Sequence, residues 1–199
     1  MPVAAPLFGS NTLPDVLALV TTASDDTLTA REVCRRMGGN VESTQRAMRR
    51  LAEFGLAHPV RAGREVRYTI ERTDTVCFRE LRAVSHRLAG MGADLRRLAH
   101  TLPVGALQQA FIYGSVAAGT ERPESDVDVF VVGTAHVHDL TDFTWRWSER
   151  LRRDVVPFIR TQDAITNGFV SGTSFYQNVL LGHKILLVGT ESDLPTVRA

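Results

Sequence analysis

Lysine is almost missing from this chain: Lys184 is the single one among 23 Lys and Arg residues. Cysteine is scarce as well. Cys34 and Cys77 fit no CxxC or zinc spacing and fall in segments that read as helix, so a reduced, cytoplasmic setting is the simplest account. No stretch approaches the roughly 20 apolar residues of a membrane span. The start, Met1 to Pro14, has no positive leader ahead of an apolar run. Neither a membrane partner nor export is therefore expected. Two familiar phosphate loops are also missing: there is no GxxxxGK[ST], and Gly-Ser-Val-Ala-Ala-Gly at 114–119 is not GxGxxG. These absences argue against a P-loop NTPase, a dinucleotide-binding fold, a disulfide scaffold and a membrane protein.

What is present reads as two halves. The chain has 199 residues, 44% hydrophobic and 23% charged, with net charge +1. Each half, at about 100 residues, can bury a modest core. In the first half, Leu13 to Val20 reads as a helix with Pro14 in its first turn. Thr29 and Glu32 form a capping box for a second helix that stops at Gly38-Gly39. Asn40 caps a third, running to Phe54, whose Val41, Thr44, Met48 and Leu51 should face inward. A hairpin follows, Leu56 to Val60 and Glu65 to Ile70, turning at Gly63.

Charge is uneven along this half. Arg31, Arg35, Arg36, Arg46, Arg49, Arg50, Arg61, Arg64 and Arg67 face only Glu32, Glu42, Glu53 and Glu65. Three helices and a Gly-turned hairpin make a winged helix-turn-helix. Its third helix would read double-stranded DNA: Gln45 suits adenine, and Arg46 or Arg49 suits guanine or phosphate. Arg61, Arg64 and Arg67 on the wing would hold backbone phosphates. The stretch STQRAMRRLAEFGLAHPVRAGREVRYTI resembles the helix-and-wing half of ArsR-like and related bacterial regulators, over roughly residues 11 to 75. The competing reading is an interaction or dimerisation module on the same fold.

From Val76 to about Leu102 a helical stripe recurs at Leu81, Val84, Leu88, Met91, Leu95 and Leu98, with Gly90 and Gly92 placed to split it. It suits core packing or a seam between two copies of the chain. Three segments result: a winged-helix domain at 1–75, a helical linker at 76–102 and a second domain at 103–199. The last alternates strand and helix. Strands are expected at Ala110 to Tyr113, Val127 to Val132, Asp154 to Arg160 and Ile185 to Val188, with helices at His138 to Arg152, Gln162 to Asn167 and Ser174 to Leu181. Thr190 to Ala199 reads as a tail. The fold class is α/β in two domains (α+β), the second built on a mixed sheet.

Chemistry concentrates in FIYGSVAAGTERPESDVDVFVVG. The chain can bend closely at Gly114, and Ser115 adds a hydroxyl beside the free N–H groups that follow, which suits nucleotide phosphates. Asp126 and Asp128 lie two apart at a strand start and so share a face. Two carboxylates side by side call for a cation, and Mg²⁺ takes such oxygen ligands together with substrate phosphates.

The whole string, with its spacing, resembles the polymerase-β-like nucleotidyltransferase superfamily, closely over residues 111 to 132 and in outline over 103 to 190. It is most similar to the minimal nucleotidyltransferases, including those of toxin–antitoxin pairs. The resemblance implies a Mg²⁺-dependent transfer of a nucleoside monophosphate from an NTP to a protein or RNA hydroxyl. Asp126 and Asp128 would hold metal. Asp154 matches the third carboxylate, a general base toward the acceptor; pairing with Arg152 or Arg153 is the plainer alternative. The resembled pattern usually has Arg or Lys where this chain has Ala118, and Arg122 or Arg146 are the candidate substitutes. The alternative function is a transcriptional regulator whose second domain senses a nucleotide or dimerises without catalysis. His136, His138, Trp145 and Trp147 read as surface or packing residues.

Overall fold

The computed structural model describes residues 7–72 and 77–194. The expected helix start at Val76 and the end of the expected tail lie outside them. The chain divides into two compact units: Met1–Gly90 with Glu149–Arg152, and Met91–Ser148 with Arg153–Ala199.

In the first unit, α1 (Thr12–Thr22) is followed by a short strand β1 (Thr27–Thr29), then α2 (Ala30–Met37) and α3 (Val41–Glu53). The caps are those the sequence dictates. The Thr29 hydroxyl accepts from the Glu32 amide at 3.2 Å while the Glu32 carboxylate accepts from the Thr29 amide at 2.9 Å. Gly38 closes α2 in the left-handed conformation. The Asn40 side chain accepts from the amides of Glu42 and Ser43. Strands β2 (Ala57–Ala62) and β3 (Glu65–Ile70) form the expected hairpin, its first strand starting one residue later and ending two residues later than expected, across the tight Gly63-Arg64 turn. β1 pairs antiparallel with the other side of β3, so the sheet order is β1-β3-β2. That third strand was not expected. The unit closes with α4 (Phe78–Leu88), whose Phe78 joins a core built on Val16, Leu17, Leu28, Val33 and Met48. Of the residues expected inward on α3, Thr44, Met48 and Leu51 are buried, but Val41 is 43% exposed. Val41 is the first helical residue, and the first turn overhangs the core.

The second unit opens with α5 (Gly90–Ala99), so the expected linker is two helices with the unit division between them at Gly90. The mixed sheet consists of β4 (Gln109–Tyr113), β5 (Val127–Val132), β6 (Val155–Arg160) and β7 (Ile185–Val188), in the order β6-β5-β4-β7. β4 runs antiparallel to both β5 and β7, and β5 parallel to β6. Helix α6 (Gly114–Ala118) connects β4 toward β5, and α7 (Thr141–Leu151) leads toward β6 after a turn of 3-10 helix at Val137–Leu140. Helices α8 (Gln162–Val170) and α9 (Ser174–Leu181) lie between β6 and β7. The central strands are buried on both faces, which explains their unbroken apolar runs. On one face Phe111 stacks on its cross-strand partner Phe130 at 5.1 Å and packs with Ile165 of α8 and Val179 of α9. No helix of the described residues is long and apolar enough to cross a membrane.

Candidate active site

The aromatic face of the sheet ends in carboxylates. The register pairs Phe111 with Phe130 and, two residues on, Tyr113 with Asp128, so Asp128 points to the same face. Tyr113 meets Phe130 edge-on at 5.9 Å and Phe175 at 6.2 Å. Past Tyr113 the chain turns at Gly114 with φ +72, and a Cβ there would stand 2.8 Å from Asp128 Oδ2. The glycine is required twice, by its left-handed backbone and by the carboxylate next to it. Ser115 follows in the first turn of the five-residue α6, half-buried.

Asp126 stands one residue before β5, exposed, and Asp128 is half-buried. Burial and then the charge of Asp126 push the Asp128 carboxyl above its ordinary value. Burial, with the Asp128 charge, pushes the Tyr113 hydroxyl up to about 12. The two aspartates thus form a like-charged pair, and neither makes an ion pair among the described residues. Among those residues, no three His, Cys, Asp or Glu side chains gather into a metal-binding group.

Asp154 enters through its backbone. Its carbonyl accepts from the Val127 amide at 2.7 Å, which sets Asp154 beside Asp126 at the ends of two parallel strands. The residue level with Asp128 on β6 is Val156, 42% exposed. The Asp154 side chain is exposed and makes no ion pair among the described residues. Its two arginine neighbours turn elsewhere: Arg152 to Asp25 at 3.0 Å, and Arg153 to the carbonyls of Arg122 and Ser125. Arg153 is a residue that the sequence reading missed. It looked like an ion-pair partner for Asp154, and only burial reveals its other role.

Ala118 is half-buried at the end of α6. Of its candidate substitutes, Arg122 lies in the turn before Asp126, and Arg146 lines a groove of about 340 Å³ with Asp94, Arg97, His138 and Asp142. His136 and His138 are exposed, their rings stacked at 5.4 Å. Trp145 is 67% exposed, whereas Trp147 is buried and donates to Asp94 at 2.9 Å. In the first unit Gln45, Arg46 and Arg49 on α3, Arg61 on β2, Arg64 in the turn and Arg67 on β3 are all exposed. Arg46 is engaged by Glu42 one helical turn back at 2.6 Å.

Residues 99–179 match the family model described as Polymerase beta, Nucleotidyltransferase. Apart from Glu149–Arg152, that match falls within the second unit, which is thus similar over those residues to a nucleotidyltransferase domain of the polymerase-β type. None of the curated proteins matches the chain. Two solved structures resemble it in part. A toxin–antitoxin structure with AMP-PNP shares 19% identity at a TM-score of 0.34, over 51% of this chain and 76% of that one. A protein from Sulfolobus solfataricus described as a nucleotidyltransferase shares 18% identity at a TM-score of 0.29, over 58% of this chain and 94% of that one.

Proposed function

We propose that the second unit is a Mg²⁺-dependent nucleotidyltransferase that moves a nucleoside monophosphate from an NTP to a hydroxyl of a protein or RNA. The observation that carries this is Asp128 pressed against Gly114 and close enough to Asp126 to feel its charge, inside the segment that matches the nucleotidyltransferase family. In this reaction the acceptor oxygen attacks the α-phosphorus. The bond to the bridging oxygen breaks, and pyrophosphate leaves with its electron pair. Asp154 takes the proton of the acceptor hydroxyl. Gly114 leaves room for the phosphates, and the Ser115 hydroxyl donates to them.

The donor set fits Mg²⁺: two carboxylates without an ion-pair partner among the described residues, one of them held above its ordinary pKa by burial and by the other's charge. Mg²⁺ bound there supplies positive charge against the triphosphate and the leaving pyrophosphate. Calorimetry with ATP, GTP, CTP and UTP, with and without Mg²⁺, tests the reading. Binding of at least one NTP that is lost in EDTA supports it; equal binding in EDTA sinks the metal bridge.

The first unit, in the same proposal, is a winged helix that binds double-stranded DNA. Support comes from the β1-β3-β2 antiparallel sheet joined to three helices, and from the exposed Gln45, Arg46, Arg49, Arg61, Arg64 and Arg67. The division into a DNA-binding part at 1–75, a helical linker at 76–102 and a transferase part at 103–199 belongs to this proposal. One observation favours a second reading, a regulator whose second unit senses a nucleotide or dimerises without turnover. Ala118 stands where the polymerase-β-like pattern that the sequence resembles usually has a cation. Pyrophosphate release during incubation with labelled NTP, Mg²⁺ and cell lysate separates the two.

A further inference from the structure

Asp126 sits in a loop, ahead of the strand that carries Asp128, and loops are held only by what bonds their backbone. Here the holding group is a buried cation. Arg153 is 6% exposed, and its Nη1 donates to the carbonyl oxygens of Arg122 at 2.5 Å and of Ser125 at 2.8 Å. Those two residues close their own turn: the Ser125 amide donates to the Arg122 carbonyl at 3.0 Å, and the Arg122 amide to the Ser125 hydroxyl at 2.9 Å. The Ser125 carbonyl belongs to the peptide unit that begins Asp126. On the other side of Asp126, the Val127 amide donates to the Asp154 carbonyl at 2.7 Å. Asp126 is thus bracketed by two hydrogen bonds, and both partners come from the dipeptide Arg153-Asp154.

A buried guanidinium is costly to maintain unless its hydrogen bonds are well made. The two N–H bonds of its Nη1 lie in the guanidinium plane and reach the two carbonyls in fixed directions, whereas a lysine ammonium on a flexible stem is a freely rotating donor. We propose that Arg153 is the positioning residue of the metal site, fixing the peptide before Asp126 so that its carboxylate is held in place beside that of Asp128. This rests on the metal-nucleotide reading above. Groups that orient metal ligands without touching the metal commonly change metal affinity by about 10–100-fold when removed.

The test uses the full chain with three variants: Arg153→Met, Arg153→Lys, and Ser125→Ala, which removes the hydroxyl acceptor of the same turn and leaves the buried arginine in place. Two measurements are made on each. Hydrogen–deuterium exchange follows the peptide spanning residues 122–128. Calorimetry follows the Mg²⁺ concentration needed for half-saturation by whichever NTP the wild type binds. Arg153→Met is expected to speed exchange in that peptide and to raise half-saturating Mg²⁺ by about tenfold or more. Arg153→Lys should fall between it and wild type, and Ser125→Ala should shift both readouts in the same direction by less. If Arg153→Met does not fold, the Lys and Ala variants carry the comparison.

Unchanged exchange at 122–128 in a folded variant overturns the proposal. So does faster exchange with an unchanged Mg²⁺ requirement, which would leave Arg153 a purely structural residue. A wild type that binds no NTP with or without Mg²⁺ refutes the nucleotide reading itself, and with it any role for Arg153 in metal binding.

Discussion

Gly114 and Asp128 constrain each other at the level of single atoms. Gly114→Ala adds a methyl 2.8 Å from a carboxylate oxygen and forces a side chain into φ +72. The backbone term alone costs about 1–2 kcal/mol, and a chain of this size loses about 2–4 °C per kcal/mol. The expected result is a fall in Tm of a few degrees and loss of Mg²⁺-dependent NTP binding, read by thermal melts and calorimetry. Asp128→Asn should separate the two effects. It removes the repulsion with Asp126 and the cost of burying a charge. The metal-free variant should melt slightly above wild type while losing NTP binding, and a lower Tm would show that the carboxylate is structural. Asp25, in the first unit, is set the opposite way. Burial pushes its carboxyl up, but the hydrogen bond and charge of Arg36 and the charge of Arg152 outweigh it and hold it below the ordinary 3.8. A carboxyl depressed in the folded state stabilises above its unfolded pKa, and the contribution fades as pH falls through the folded value. Asp25→Asn should therefore melt below wild type at neutral pH, by roughly 1 kcal/mol for a partly screened pair. The gap should close as pH drops below about 4. A gap that persists unchanged at pH 2.5 would assign the effect to packing.

Elements were legible where their ends are written in short-range chemistry. The Thr29–Glu32 box and the Asn40 cap name the starts of α2 and α3 before any tertiary contact is considered. Asn40→Ala should cost about 1 kcal/mol, measured by chemical denaturation of the whole chain. The strands β5 and β7 and the helix α9 follow from apolar runs bounded by turn residues, and their observed limits are those of the runs. Strand β1 was not legible. It has three residues, too few for alternation, and exists because Leu28 is drawn into the core and Thr27–Thr29 find partners on β3, some 40 positions away. Val41 failed for the reverse reason: helical spacing assigns it to the inward stripe, but periodicity does not record where the core ends. At the candidate site, the bend at Gly114 and the closeness of Asp126 to Asp128 could be read because glycine chemistry and a two-residue spacing are local, although Asp126 itself lies in the loop before β5. Arg153 could not, since its partners lie 28 and 31 residues away and its burial is a property of the packed loop.

Over the whole molecule, charge is balanced in sum and unbalanced in place. The net of +1 hides a first unit whose exposed α3 and hairpin carry Gln45, Arg46, Arg49, Arg61, Arg64 and Arg67. Two of these are already partly answered within the protein. Arg46 is paired with Glu42, and the charge of Arg67 reaches Glu32 and helps lower its pKa, behind the hydrogen bonds from Thr29. Both pairs are solvent-accessible, and an exposed i,i+4 pair is worth only about 0.3–0.5 kcal/mol, so a phosphate can compete for either arginine. If the first unit binds duplex DNA, affinity must fall with salt, because each neutralised phosphate contributes about 0.9 to the slope of log affinity against log salt. Arg64→Ala with Arg67→Ala should flatten that slope by up to about two units and weaken all sequences alike. Glu42→Ala should act the other way, releasing Arg46 and removing a negative charge from the same surface. Gln45→Ala should instead leave the slope unchanged and relax preference among sequences, if that side chain reaches a base edge. Fluorescence anisotropy on the chain's own promoter and on a scrambled duplex, across a salt series, reads all three. Weak, salt-insensitive binding to both duplexes by a folded protein would make the arginine-rich face an interaction surface for something other than DNA.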